Sequence, residues 1–187
     1  TNFSSGKMGV AIAERAFRRG AEVTLVLGRH GVSVPGGIKV VSVETTEDMY
    51  EAVMKEMKDC DLIVKAAAPC DYKPSVFSGN KIKSSELTVS FSKNKDIAAE
   101  VGRIKGDKKL VVFSAETENL LENARNKLLK KNADLVVAND VTQEGAGFLT
   151  DTNKVYILDR KGVVAETPVM SKSEVADVIL DCAAEIL

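Results

Sequence analysis

With 187 residues, 44 % of them apolar and 28 % charged, the chain has the balance of a globular domain able to bury one sizeable core. Its formal net charge of −1 supplies no global attraction to nucleic acid or to an anionic membrane surface. No apolar run approaches the roughly 18 residues that a membrane-spanning helix requires.

Taken in chain order, Met8, Ile12, Ala16 and Phe17 recur at helical spacing over residues 5–19, and Gly20 is suited to stop that helix. AEVTLVLG and IKVVSV follow as short apolar runs of strand length. Thr45 with Asp48 three residues on has the form of a capping box opening a helix over 47–60. DLIVKAAA then reads as a buried strand. KDIAAEVGRIKG, KLVVFSAET, ENLLENARNKLLKKN and ADLVVAND continue as helix, strand, helix, strand. Apolar runs alternating with amphipathic helices predict a parallel sheet with helices on both faces. The end differs: KVYIL and VVAET around DRKG predict an antiparallel hairpin, and Ser171 with Glu174 caps a closing helix. The expectation is one α/β domain over 1–187. Residues 68–91 are polar and lysine-bearing between a strand end and a helix, and within them LTVSF alternates like an exposed strand. A long connection at the C-terminal end of a parallel strand is a candidate flap.

Cys60, Cys70 and Cys182 are odd in number and widely spaced, which argues against a disulfide framework or a zinc site and suits a reducing, cytoplasmic setting. The single histidine, His30, sits in the loop GRHGVSVPGG and reads as solvated. SSGKMG at the start of the first helix is not a phosphate-binding loop of the Walker type: Met8 follows Lys7 and the earlier glycine is missing. The dinucleotide fingerprint G-x-G-x-x-G is absent too. Free N–H groups at the helix start suit an anion as well as they suit simple capping. In KAAAPCDY, three alanines at a strand end admit a flat ligand or a closely packed helix, and Asp71 follows at the mouth of the sheet. KIK reads as solvated lysines, and Lys127 with Lys131 as one surface face of a helix. AND and GAGF, between Ala138 and Phe148, fit either a ligand-approaching loop or a plain turn.

The order of these elements resembles phosphopantothenoylcysteine synthetase, a coenzyme A biosynthetic ligase often fused behind a flavin-dependent decarboxylase. The resemblance rests on N-x-SSGKMG (Asn2 to Gly9), AAA-x-x-DY (Ala66 to Tyr72), KIK (Lys81 to Lys83), KN-x-DI (Lys93 to Ile97), F-x-AET (Phe113 to Thr117), AND (Ala138 to Asp140) and G-x-GF (Gly145 to Phe148). It implies a three-layer α/β fold, Rossmann-like with ribokinase-like features, carrying a small antiparallel dimerisation sheet. It also implies condensation of 4′-phosphopantothenate with cysteine through an acyl-cytidylate, driven by CTP with Mg²⁺, in a cytoplasmic homodimer. No nucleic-acid or membrane partner is expected.

Residue by residue, the resemblance assigns Asn2 to the second step, holding the acyl-cytidylate, and Lys81 of the flap to the first. Lys65, Ala66 and Ala67 match a backbone stretch against the nucleotide. Asp71 matches a ligand-binding aspartate, and Ala67, Ala68 and Asp71, with Asn2, match the phosphopantothenate side. Lys95, Asp96, Ile97 and Ala98 match a nucleotide-contacting helix start. Phe113, Lys127 and Lys131 match a cytosine pocket. The metal ligands stay unassigned, and the base choice between CTP and ATP stays open. Two departures stand out. Ser84 follows Lys83 where the family's flap often runs K-x-K-K, and the strand, Gly-Thr loop and arginine that precede the family's asparagine are not in this sequence. The expectation is therefore a synthetase domain lacking its first strand and loop. Two other classes fit a Rossmann-like sheet: a dinucleotide-dependent oxidoreductase, against which the missing fingerprint speaks, and a non-catalytic nucleotide-binding or dimerisation module.

Overall fold

The computed structural model describes residues 4–29, 31–76, 78–140, 142 and 150–187. Asn2, His30 and the run from Gly145 to Phe148 lie outside the described residues.

The first half begins with α1 (Lys7–Arg18), β1 (Thr24–Leu27), β2 (Lys39–Ser42) and α2 (Thr46–Glu56), which a 3-10 turn at Met57–Asp59 extends. It continues with β3 (Leu62–Lys65), β4 (Tyr72–Pro74), β5 (Phe91–Lys93) and α3 (Ile97–Ile104). The second half runs β6 (Lys109–Glu116), α4 (Leu120–Lys130), β7 (Leu135–Asp140), β8 (Thr152–Asn153), β9 (Tyr156–Leu158), β10 (Val163–Glu166), β11 (Met170–Ser171) and α5 (Lys172–Ala184).

The central sheet has the order β10-β9-β7-β6-β3. β3, β6 and β7 are parallel, whereas β9 pairs antiparallel to β7 and β10 antiparallel to β9. Strand alternation sorts the side chains to two faces. Leu62, Val64, Val111, Phe113, Val137 and Ile157 pack with α1 and α5 on one. Ile63, Leu110, Val112, Val136, Ala138 and Leu158 pack with α2, α3 and α4 on the other. Coverage on both faces explains why the middle strands read as continuous apolar runs. Three small two-stranded sheets complete the described structure: β1 parallel to β2, β4 antiparallel to β5, and β8 antiparallel to β11.

Both capping boxes read from the sequence form, Thr45 with Asp48 and Ser171 with Glu174. Three boundaries differ from expectation. α1 starts at Lys7, because Gly6 ahead of it is left-handed at φ 79° and acts as the N-cap. The expected strand DLIVKAAA ends at Lys65, and the alanines, which lack the β-branching that favours strands, continue as loop. Of LTVSF only Phe91 belongs to a strand, and residues 87–90 are irregular and exposed.

Two contacts at the edges of the α3/α4 face set its spacing. A methyl group on Gly102 of α3 would lie 1.8 Å from the Lys131 carbonyl oxygen, so the two main chains touch where any side chain would collide. Beside this contact the Asn132 side-chain amide donates to the Gly102 carbonyl at 2.8 Å. At the N-terminal ends of the strands, buried Lys105 pairs with Asp134 at 2.9 Å and donates to the Lys108 carbonyl at 3.1 Å. Lys108 in turn donates to the carbonyls of Lys58 and Cys60, both at 2.9 Å.

Candidate functional site

The C-terminal ends of β3 and β6 meet the N-terminus of α3 and one face of α4. Alternation places Lys65 with Ile63 on the α2/α3/α4 face, and Ser114 with Val112 on the same face. Lys127 reaches down from α4 and donates to the Ser114 hydroxyl at 3.3 Å. That hydroxyl donates to Glu116 at 2.5 Å, and the Asn123 amide donates to the other Glu116 oxygen at 3.2 Å. One turn further along α4, the Lys131 ammonium pairs with the Asp96 carboxylate. Asp96 is the N-cap of α3 and accepts from the Ala99 N–H at 3.0 Å. Lys127 and Lys131 are therefore not a solvated surface face: each is fixed to the sheet or to the cap of the neighbouring helix.

Three lysines meet three carboxylates here, Asp71, Asp96 and Glu116, and around Lys65 the balance tips toward positive charge. Burial pushes the Lys65 ammonium down to about 8, and the adjacent Lys127 and Lys131 charges press the same way against weaker support from Asp96 and Asp71. Burial also lowers Lys127, partly opposed by Glu116. Asp96 suffers from burial, but its bonds to Lys131 and the Ala99 N–H outweigh this and hold its carboxyl below the usual range. Ile97 and Ala98, the first residues of α3, are buried with their N–H groups at the helix's positive end.

Asp71 lies on the exposed loop after β3. Its carbonyl accepts from the Asn94 N–H at 2.7 Å, and the Asn94 side chain donates to the Cys70 carbonyl at 2.8 Å, tying this loop to the lead-in of α3. Ala66, Ala67 and Ala68 are half-buried on the same loop. A methyl group on Gly9 of α1 would stand 3.8 Å from the Ala66 side chain, so the small residues do admit a close helix as well as leave room ahead of it. Lys95 turns the other way: it pairs with Glu47 at 2.6 Å and lies over the Tyr50 ring at 4.3 Å. The hydrogen bond from Lys95 keeps the Glu47 carboxyl below its usual range.

Lys81 is exposed on the 75–90 connection between β4 and β5, and those strands form a short ribbon leading to it. On that ribbon Tyr72, Pro74, Phe91 and Lys93 share a face, and Tyr72 and Phe91 are about 60 % exposed (61 % and 62 %). At α1, Ser5 Oγ accepts the Lys7 N–H at 3.4 Å, while the Lys7 ammonium is drawn away to Asp151 at 2.6 Å. An open cleft of about 380 Å³ lies there, lined by Ser4, Ser5, Lys7, Arg29, Gly31 and Val32.

The structure thus brings Lys65, Asp71, Asp96, Lys127 and Lys131 together, with Ile97 and Ala98 beside them. It does not bring the Phe113 ring to that group, because Phe113 packs against the α1/α5 cluster on the opposite face of the sheet. Ser114 and Glu116 were not anticipated, and neither was a role for the Lys65 side chain. The signal for Lys65 was a lysine closing the apolar run LIVK in step with buried Ile63. Among the described residues no group of three or more histidine, cysteine, aspartate or glutamate side chains could hold a metal ion, and no helix is long and apolar enough to cross a membrane.

The family model described as "DNA/pantothenate metabolism flavoprotein C-terminal domain" matches residues 1–187. The coenzyme A biosynthesis bifunctional protein CoaBC of Bacillus subtilis strain 168 is 41 % identical over 183 residues, covering 96 % of this chain and 45 % of that protein. A cysteine/cysteine sulfinic acid decarboxylase from an unknown prokaryotic organism is 39 % identical over 180 residues, covering 94 % of this chain and 50 % of that protein. The chain spans about half the length of these curated relatives. The crystal structure of the C-terminal domain of a CoaBC protein superposes with a TM-score of 0.82 at 38 % identity, covering 97 % of this chain and 83 % of that one. The three-layer arrangement, the sequence similarity along the whole chain and the superposition agree: the chain belongs to the family of DNA/pantothenate metabolism flavoprotein C-terminal domains.

Proposed function

We propose that this chain is the ligase part of a coenzyme A biosynthetic enzyme, condensing 4′-phosphopantothenate with cysteine at the expense of CTP. The observation that carries the reading is the convergence of Lys65, Lys127 and Lys131 on the N-terminus of α3, at the C-terminal end of a parallel sheet. That arrangement suits a polyanion, and the likeness to CoaBC proteins along nearly the whole chain supplies the chemistry.

In the first step the phosphopantothenate carboxylate attacks the α-phosphorus of CTP, and pyrophosphate leaves. Bringing a carboxylate to a triphosphate needs cations, and the lysines with the α3 N–H groups answer that need. Lys81, on the exposed connection beyond the β4–β5 ribbon, is the cation that closure of a flap would add. In the second step the cysteine amine attacks the acyl carbonyl of the acyl-cytidylate, and CMP leaves. Asn2 is assigned to hold that carbonyl, since an amide donates without adding negative charge. Ala67, Ala68 and Asp71 are assigned to the phosphopantothenate side. Mg²⁺ commonly binds through one or two carboxylates and substrate phosphates, and Asp71 beside the lysines fits that requirement. Bound there, the ion would neutralise phosphate charge.

A homodimer is part of this reading, supported by the exposed Tyr72 and Phe91 on one face of the β4–β5 ribbon. So are a cytoplasmic setting and a flavin-dependent decarboxylase partner, the latter supported by the bifunctional name and double length of the relatives. A further strand ahead of Thr1 is proposed as well. Among the described residues β1 pairs only with β2 and β3 only with β6, which leaves each with an open edge.

The test is a quenched assay with phosphopantothenate, cysteine and CTP, with ATP in parallel. CMP and pyrophosphate should appear together only when both acceptor substrates are present, and absence of cysteine-dependent CMP release would refute the reading. Asn2→Asp should let the acyl-cytidylate accumulate, whereas Lys81→Gln should prevent its formation.

A further inference from the structure

Four consecutive residues between the β4–β5 ribbon and α3 each hold a different piece of the site. Lys93 pairs with Tyr72 across the ribbon. The Asn94 N–H donates to the Asp71 carbonyl at 2.7 Å, and its side-chain amide donates to the Cys70 carbonyl at 2.8 Å. Lys95 is fastened to α2, pairing with Glu47 at 2.6 Å and lying over the Tyr50 ring at 4.3 Å. Asp96 caps α3 through the Ala99 N–H and takes Lys131 from α4. The run 93–96 is therefore a bracket: α2 and α4 hold it on one side, and it holds the Cys70–Asp71 loop on the other. The main-chain bond of Asn94 merely prolongs the Tyr72–Lys93 ladder. The side-chain bond does not. It reaches one residue further back, and it needs a donor at the end of a short side chain. The loop depends on such a tie, since Cys70 and Asp71 are exposed and Ala66, Ala67 and Ala68 carry no side-chain donor or acceptor.

We propose that Asn94 is a positioning residue that acts through Asp71. Its side-chain amide fixes the Asp71 loop to the lead-in of α3, and so sets the place of the Asp71 carboxylate relative to the α3 cap and the lysines of α4. This rests on the ligase reading above, in which Asp71 meets a ligand, and adds a residue that meets none itself. The Asp71 carboxylate acts on both Lys65 and Lys127, so it stands within electrostatic reach of lysines that Asn94 does not touch. An amide suits the task, because it satisfies a carbonyl without bringing charge to a site that must admit phosphates. The arrangement also separates Asp71 from the flap. The ribbon that leads to Lys81 leaves at Tyr72 and returns at Lys93, and the tie at Asn94 lies behind both strands. The 75–90 connection can therefore shift without displacing Asp71.

The experiment is a double-mutant cycle on the full chain, with Asn94→Ala, Asp71→Asn and the two combined, each shown by thermal melt to be folded. Calorimetry gives the affinity of each protein for CTP and, separately, for 4′-phosphopantothenate. Asn94→Ala should copy the profile of Asp71→Asn. Each ligand that binds Asp71→Asn more weakly should bind Asn94→Ala about tenfold more weakly, and any ligand that does not should bind as it does to wild type. In the Asp71→Asn background, Asn94→Ala should cost less than a further twofold, because the group it positions is already lost. Asn94→Asp, equal in size but without the donor, should reproduce the pattern, and it replaces Asn94→Ala if the smaller residue unsettles the fold. Unchanged affinities in Asn94→Ala, losses that multiply in the double variant, or a loss for a ligand that Asp71→Asn still binds normally would each overturn the proposal and leave the ligase reading intact. A wild type that releases no cysteine-dependent CMP in the quenched assay would overturn both.

Discussion

The two ends of the central sheet hold buried and half-buried lysines in opposite conditions. At the N-terminal ends of the strands, Lys105 meets a carboxylate and a carbonyl, and Lys108 meets two carbonyls. At the C-terminal ends, among the described residues, Lys65 meets no hydrogen-bonding or ion-pairing partner, and Lys127 has a hydroxyl that is already donating to Glu116. Burying a cation without compensation costs several kcal/mol, so the two ends cannot serve the same purpose. The satisfied end contributes stability. The less satisfied end lies where α/β sheets tend to bind ligands, beyond the carboxyl ends of their strands.

Breaking the satisfied end should have the largest effect. Lys105→Met leaves the Asp134 carboxylate only its bond from the Leu110 N–H and should lower stability by about 3–5 kcal/mol in urea denaturation, with CTP affinity unchanged. Gly102→Ala should come next, at about 3 kcal/mol, because the added methyl meets a main-chain oxygen that cannot rotate away. Unlike Lys105→Met, it should also weaken CTP binding, since it pushes Lys131 from Asp96.

Lys65→Met should act with the opposite sign, raising stability by about 2 kcal/mol at pH 7 after allowance for partial exposure. The folded midpoint near 8 lies below the ordinary lysine value of 10.5, so the unfolded chain binds more protons between these two pH values. The destabilisation is therefore complete below pH 8 and fades as pH rises toward 10.5. The gap between wild type and Lys65→Met should close over that window, and a gap constant across it would sink the assignment. The smallest effect belongs to Thr45→Ala. It removes one half of an exposed capping box, costs about 1 kcal/mol, and leaves the contrast between the two ends untouched.

The layered fold was legible in the sequence because strands covered on both faces must be apolar throughout, and the capped helices carried their own start signals. LVV in β6 and LVVA in β7 are buried at every position, and Thr45 and Ser171 cap as their spacing required. Side-chain partnerships were less legible. Lys127 and Lys131 looked like a solvated face because nothing local to α4 reveals that Ser114 and Asp96, distant in sequence, lie beneath them. Phe113 could have been separated from the lysines by strand parity alone, since its neighbour Ser114 is the residue that Lys127 touches. The 68–91 stretch gave little periodic signal because almost none of it is buried, and burial is what imposes a period.

The main-chain contact at Gly102 has a consequence for how such a site could change its ligand. With α3 and α4 abutting and the Asn132 amide latched across the joint, the gap between the Asp96 cap and Lys131 has no slack. Substitutions that would retune a ligand bound there must therefore work through the side chains projecting into that gap, or through the ribbon beyond it. The distance between the helices is not available for selection to adjust while residue 102 lacks a side chain.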